Sequence, residues 1–167
     1  MENKIQVNIA NHFISLKWLL FYIILTLLLL VYFYLTFGSE GLFILIIFLL
    51  LQMLPTVYLH YKYYVINKSI KCTLNEYKLE VFNKNMKYVY FPNDIEKIII
   101  YKSANMDSWG IPLLTFENYY YSRIVLKDGN NIVLTSLLDN KIEDKLKVNF
   151  STTTFNRKKG FSCFPDW

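Results

Sequence analysis

The chain has 167 residues, of which 54% are hydrophobic and 19% charged, with a formal net charge of +5. Setting aside an apolar N-terminal third leaves residues 62–167, 106 residues, which holds one compact domain and excludes two. The whole excess charge arises there, with 16 Lys and Arg against 11 Asp and Glu; this mild balance suits an anionic leaflet or an ordinary lysine-rich surface, and no nucleic-acid polymer is expected as a partner. The chain is rich in Asn, Ile, Lys and Tyr and has only two Ala, the bias of an AT-rich genome such as that of a low-GC bacterium.

In the leader, residues 1–17, Ile5, Val7 and Ile9 alternate, and Phe13, Ile14 and Leu16 then sit closer to helical spacing. The leader is expected either to lie along the headgroups or to start the first helix early, with Trp18 at the interface.

Residues 18–37 and 42–61 are two almost purely apolar segments joined by Gly38-Ser39-Glu40-Gly41. At roughly 1.5 Å per residue each covers a hydrocarbon core of about 30 Å. Fourteen Leu, Ile, Val or Phe in the first and thirteen in the second favour insertion by several kcal/mol in all. Both read as transmembrane helices, and so short a link makes them an antiparallel hairpin over residues 18–61. Lys4 and Lys17 before the first span and Lys62, Lys68 and Lys71 after the second place both termini in the cytoplasm. The expected location is the bacterial inner membrane, multi-pass, with only the turn outside. A cleaved signal peptide is disfavoured by the length of the apolar run and the absence of an A-x-A-like site. Cys72 and Cys163 then lie on the reducing side as free thiols.

Gln52 interrupts the second span, where an amide needs a partner. It either contacts another helix or a second copy in a homo-oligomer, or bonds within the hairpin, to Thr26 or a nearby carbonyl. Pro55 removes a backbone donor and kinks the helix. His60, among Tyr58, Tyr61, Tyr63 and Tyr64, reads as an interfacial anchor.

From Lys62 the pattern alternates. Tyr77, Leu79 and Val81 share one strand face, Lys78 and Glu80 take the other, and Asn83-Lys84-Asn85 turns the chain into a second strand over residues 87–91. Pro92-Asn93-Asp94 allows a short helical turn before a strand over residues 98–103, whose unbroken Ile98-Ile99-Ile100 implies cover on both faces. Residues 104–118, with Trp109-Gly110-Ile111-Pro112 in the middle, read as a long loop. Strands follow over residues 119–127 and 131–135, joined at Asp128-Gly129-Asn130, a strong hairpin signal. Leu138, Ile142 and Leu146 mark a last amphipathic helix capped by Asp139 or Asn140, with Glu143 available for a capping box with Asn140.

Three stretches, Tyr90-Phe91-Pro92-Asn93-Asp94-Ile95-Glu96-Lys97-Ile98, Ile124-Val125-Leu126-Lys127-Asp128-Gly129-Asn130-Asn131-Ile132 and Thr135-Ser136-Leu137-Leu138, carry a resemblance. Their order resembles a bacterial pleckstrin-homology-like (PH-like) domain. The resemblance implies a mainly-β cytoplasmic domain over residues 62–150, a bent antiparallel barrel plugged by one C-terminal helix, attached to a membrane α-helical hairpin. It transfers no catalytic residues. The clustered basic first-hairpin loop of phosphoinositide-binding members is missing, since Asn83-Lys84-Asn85 has one lysine.

No Gly-rich phosphate loop, nucleophile elbow, H-E-x-x-H or metal-spaced Cys or His pair occurs. His12 and His60 flank the membrane segments, and the carboxylate pairs Asp94/Glu96 and Glu143/Asp144 read as helix-start charges and a solvated helix face. An enzyme, a cofactor and a metal are not expected. Two binding surfaces are. Trp109, Phe116, Tyr119, Tyr120 and Tyr121 with Arg123 line a ligand pocket or protein interface, or else half of them fill the core and the rest sit at the bilayer surface, alternation placing Tyr119, Tyr121 and Arg123 on one face. The tail, residues 151–167, carries Arg157, Lys158 and Lys159 with Phe161, Phe164 and Trp167, which hold it on anionic lipid or leave it disordered. The expected function is a non-enzymatic membrane-anchored module that binds a protein partner or an unknown small ligand. The alternatives are an immunity protein against a toxin and a two-helix antiphage effector with a nucleotide-sensing barrel.

Overall fold

The computed structural model describes residues 3–39, 42–84, 86–159 and 163–164. Within the leader a strand precedes the first helix, which starts at Ile9. Asn3–Gln6 forms strand β1, paired antiparallel with β2 (Ile70–Asn75) so that Ile5 faces Cys72, and Ile5 is buried in the core. The alternation of Ile5 with polar neighbours is thus a strand signal. Asn8 then caps helix α1 (Ile9–Phe37), its side chain accepting from the Asn11 amide at 2.9 Å. Helix α2 (Leu42–Asn67) returns beside it with Pro55 inside. Both helices are long and apolar enough to cross a membrane, and both start or end well beyond their apolar segments.

β2, β3 (Lys78–Asn83) and β4 (Met86–Tyr90) follow as a meander, giving an antiparallel sheet in the order β1-β2-β3-β4. Leu79 and Val81 face inward as their spacing requires, whereas Tyr77 lies outside the strand and is exposed. Lys84 takes φ 46° in the β3–β4 turn, a left-handed conformation uncommon outside glycine. A single 3-10 turn, Pro92–Asp94, leads to β5 (Ile95–Tyr101), which pairs with β6 (Tyr121–Leu126), itself paired with β7 (Asn131–Thr135). Gly129, at φ 86°, closes the β6–β7 turn.

Helix α4 (Ile142–Asn149) turns Ile142 and Leu146 into the core between the two sheets. Its expected capping box is not made. Asp139 Oδ1 accepts from the Lys141 amide at 2.8 Å instead, and Glu143 is turned away to cationic partners. Nor is α4 the last element. Thr154–Lys158 forms β8, parallel to β5, completing a second sheet in the order β7-β6-β5-β8. The architecture is therefore two four-stranded sheets sharing one core with α4, not a closed barrel. No strand pairing joins the two sheets among the described residues, because the Pro92–Asp94 turn separates β4 from β5 and β8 takes the remaining edge of β5.

Two cores result. The first lies between the sheets. The second, Leu59, Tyr63, Tyr101, Phe116, Tyr119, Tyr121, Leu137 and Cys163, joins α2 to the outer face of the second sheet. Ile98 and Ile100 point into the first and Ile99 packs against the second, so the unbroken isoleucine run is covered on both faces.

Candidate functional site

Residues 104–118 are not an irregular loop. They contain α3 (Ala104–Ser108), capped by Ser103 Oγ accepting from the Met106 amide, and a 3-10 turn, Thr115–Asn118, that sits between the two long helices. Glu117 holds this excursion together: its carboxylate accepts from the Leu113 and Leu114 amides at 2.8 and 3.1 Å and from Asn105 Nδ2 at 2.8 Å. The turn then grips the hairpin. Gln52 Oε1 accepts from the Thr115 amide at 2.8 Å, Gln52 O accepts from Thr115 Oγ1 at 2.8 Å, and the Thr115 and Thr56 hydroxyls meet at 2.5 Å. On the α1 side Asn118 Nδ2 donates to Ser15 O at 3.0 Å and Tyr22 OH donates to Leu113 O at 3.3 Å.

Gln52 is only 1% exposed, and its amide oxygen is committed to the β domain. Of the two sequence-based alternatives, another helix or copy against a bond within the hairpin, the amide oxygen takes neither, since its donor is the Thr115 turn of the domain. A buried amide satisfies itself on the nearest rigid donor, and the Thr115 turn supplies one in cis.

His60 is bonded at both ring nitrogens. Its Nε2 lies 2.8 Å from His12 Nδ1 and its Nδ1 lies 2.8 Å from Tyr119 OH, which links α1, α2 and the domain in one chain. Burial raises the Tyr119 phenol above its ordinary range, so it stays protonated. The donor at each of these two contacts follows the tautomer of the imidazoles. At the end of α2, Asn67 Oδ1 accepts from the Thr135 amide at 3.0 Å and from its hydroxyl at 2.5 Å, while Asn67 Nδ2 donates to Val133 O at 3.2 Å. Asn67 thereby continues the second sheet past β7. Neither Asn67 nor Thr115 stands out in the sequence, since single polar residues at element ends carry no pattern.

Most of the aromatic set is buried. Phe116, Tyr119 and Tyr121 are buried in the second core, where Tyr119 and Tyr121 meet Tyr63 edge to face. Arg123 lies over the Tyr101 ring, 5.1 Å from its centroid. The shared face of Tyr119 and Tyr121 is real, but α2 covers it. Trp109 is separate and 68% exposed.

The basic residues of the expected tail lie on or beside strand β8. Arg157 pairs with Asp107 and Glu143, Lys159 lies 3.2 Å from Asp107, and Lys158 sits over the Tyr101 ring at 5.2 Å. Glu143, expected on a solvated face, is 5% exposed and also binds Lys147 and Lys102. Trp18 is half-buried on α1, edge-on to Phe21 at 6.1 Å. Trp167 and Phe161 lie outside the described residues.

One basic feature escaped sequence reasoning. Lys4 of β1, Lys71 and Thr73 of β2, Phe82 of β3, Lys84 and Ser69 line an open groove of about 350 Å³ on the outer face of the first sheet. No carboxylate is among its described lining residues. The nearest one along the sheet, Glu80, is occupied by Lys78 and Lys87 at 2.6 and 3.0 Å. The three lysines lie in separate stretches of sequence, and the pairing of β1 with β2 and of β2 with β3 gathers them. The groove opens beside Ser69, just past the end of α2, some fifteen residues or roughly 22 Å along the helix from Gln52.

No curated protein matches the chain in sequence. Among solved structures it is similar to a chain in the structure of the Spt16D Pob3N heterodimer, at 16% identity, over 59% of this chain and 50% of that one, with a TM-score of 0.37. The PH domain family matches residues 4–143, from β1 through the helical hairpin and both sheets into α4. The chain therefore belongs to the PH domain family.

Proposed function

We propose that this protein is a non-catalytic, membrane-anchored binding module, its two-helix hairpin fixed in the inner membrane of a bacterium and its PH domain and both termini on the cytoplasmic side. The observation that carries this reading is the extent of the apolar surface that the hairpin exposes. Near the domain the helices bury Ser15, Leu19, Gln52, Thr56, Leu59 and Tyr63. Beyond it they expose Leu27, Leu28, Val31, Leu35, Phe43, Ile44 and Leu51 to their surroundings, an apolar surface that water does not tolerate over this extent. The anchor is bonded to the domain at several levels, so the domain is held at a set orientation rather than on a tether.

The groove of Lys4, Lys71 and Lys84 is the binding face in this reading. It lies at the end of α2 remote from the hairpin tip, and so faces a soluble partner that presents phosphate or carboxylate groups. The antiphage-effector reading leaned on Gln52 as an assembly contact, which the Thr115 turn already occupies.

The test uses full-length protein in zwitterionic vesicles. The protein should stay with the vesicles through alkaline carbonate and should bind a labelled poly-glutamate peptide. Lys71→Glu with Lys84→Glu should weaken that binding by about tenfold or more, as expected for two charge-assisted contacts. Extraction by carbonate would sink the anchor, and equal binding by the double variant would sink the groove.

A further inference from the structure

The free part of the hairpin is shorter than the sequence implies, because the domain grips the helices inside their apolar segments. Beyond Tyr22, which bonds Leu113 O, α1 has the fifteen residues Ile23 to Phe37, roughly 22 Å. Beyond Gln52, α2 has the ten residues Leu42 to Leu51, roughly 15 Å. Neither leg reaches the about 30 Å of a hydrocarbon core. A membrane surface that covers the rim of the domain beside the hairpin would reduce this shortfall, to roughly 5–10 Å on the α2 leg.

That rim is built for such a position. It is the segment Trp109-Gly110-Ile111-Pro112-Leu113, without a charged side chain, between α3 and the Thr115 turn. Trp109, Ile111 and Leu113 are 68, 56 and 55% exposed, while Pro112 is buried beneath them. The backbone amides of Leu113 and Leu114 are already satisfied by Glu117, so submerging this segment leaves those donors paired. The segment is continuous with the hairpin through the Tyr22 to Leu113 bond.

We propose that the Trp109–Leu113 rim inserts into the proximal leaflet of the bilayer as a wedge beside the hairpin, burying Trp109, Ile111 and Leu113 at the boundary of headgroups and acyl chains. This rests on the membrane-anchor reading above. The occupant is the lipid itself, recognised by apolar burial and an interfacial indole rather than by headgroup charge. The wedge adds to the hairpin roughly the 5–10 Å by which interfacial elements sink, and fixes how far the domain stands off the surface.

The test labels full-length protein in vesicles with an environment-sensitive fluorophore at single introduced cysteines. The native Cys72 and Cys163 are buried at 1 and 0% exposure, and labelled parent protein sets their background. Three exposed sites are compared: Ile111→Cys on the rim, Leu28→Cys on the free hairpin, and Tyr77→Cys on the β2–β3 turn. Lipids carrying spin labels high on the acyl chain should quench most of the emission at position 111 and leave position 77 unquenched, while position 28 is quenched best by deep labels. Position 111 unquenched while position 28 is quenched would overturn the wedge and leave the anchor standing. Positions 111 and 28 both unquenched would overturn the anchor itself and the wedge with it.

Discussion

Replacing Gln52 by Leu keeps most of the side chain's volume but removes the oxygen that receives the Thr115 amide, leaving a buried donor unpaired. The expected cost is about 1–3 kcal/mol, read as a lower Tm of the detergent-solubilised protein. Crosslinking between copies should be unchanged, since the amide is used within the chain. The two thiols make a second residue-scale prediction. Burial pushes both Cys72 and Cys163 up to about 12, and neither is accessible, so maleimide should label them only after unfolding. Glu80 gives a pH dependence. Hydrogen bonds from Lys78 and then Lys87 hold its carboxyl below the usual carboxylate range. The folded value is the lower one, so the ionised form stabilises the fold above the unfolded value of about 4.3 and that contribution fades as pH falls through the folded value. Glu80→Gln should be less stable than the parent at neutral pH, with the difference closing as acid titrations pass below about pH 4.

At the scale of elements, β8 shows how composition misleads. Arg157-Lys158-Lys159 reads as a basic tail, yet Arg157 reaches Asp107 of α3 and Glu143 of α4 across the edge of the second sheet. Phe155 packs against the first core from the same strand. Arg157→Ala should destabilise by only about 1 kcal/mol, because Lys159 remains on Asp107 and Lys102 and Lys147 remain on Glu143. The Thr115–Asn118 turn is the opposite case, a short element with a large structural role. It bonds both helices, and its neighbour Tyr119 extends the link to His60 and His12.

At the scale of the whole molecule, the hairpin is an inserted part of the domain rather than a preceding anchor. β1 lies before it and β2 after it, paired in register from Asn3 with Leu74 to Gln6 with Lys71. Leu59 and Tyr63, both 0% exposed, belong to the second core. Replacing residues 9–67 by a short linker should therefore leave an unfolded or aggregating domain, each lost core side chain costing about 1.5–3 kcal/mol in burial alone. Trimming only the tip above Tyr22 and Gln52 should leave a folded domain that no longer sediments with membranes. Far-ultraviolet circular dichroism and flotation on the two deletions check both outcomes.

Much of this was legible from local pattern. Continuous apolar runs mark α1 and α2, period-two alternation marks β3, and the Asp128-Gly129-Asn130 turn with its flanking strands marks β6 and β7, because periodicity and turn chemistry are properties of neighbouring residues. The resemblance to the PH-like order also holds at the level of the family. What only the tertiary structure decided are the relations between residues far apart in sequence. Ile5 is a strand residue because β2 is there to receive it; Gln52, His60 and Asn67 serve the joint because the Thr115 turn, Tyr119 and Thr135 are brought within bonding distance. Tyr119 and Tyr121 are core because α2 lies over them. Lys4, Lys71 and Lys84 become one groove by strand pairing across the inserted hairpin. A sequence states which side chains need a partner through their polarity and size, but the identity of the partner is fixed by the path of the backbone.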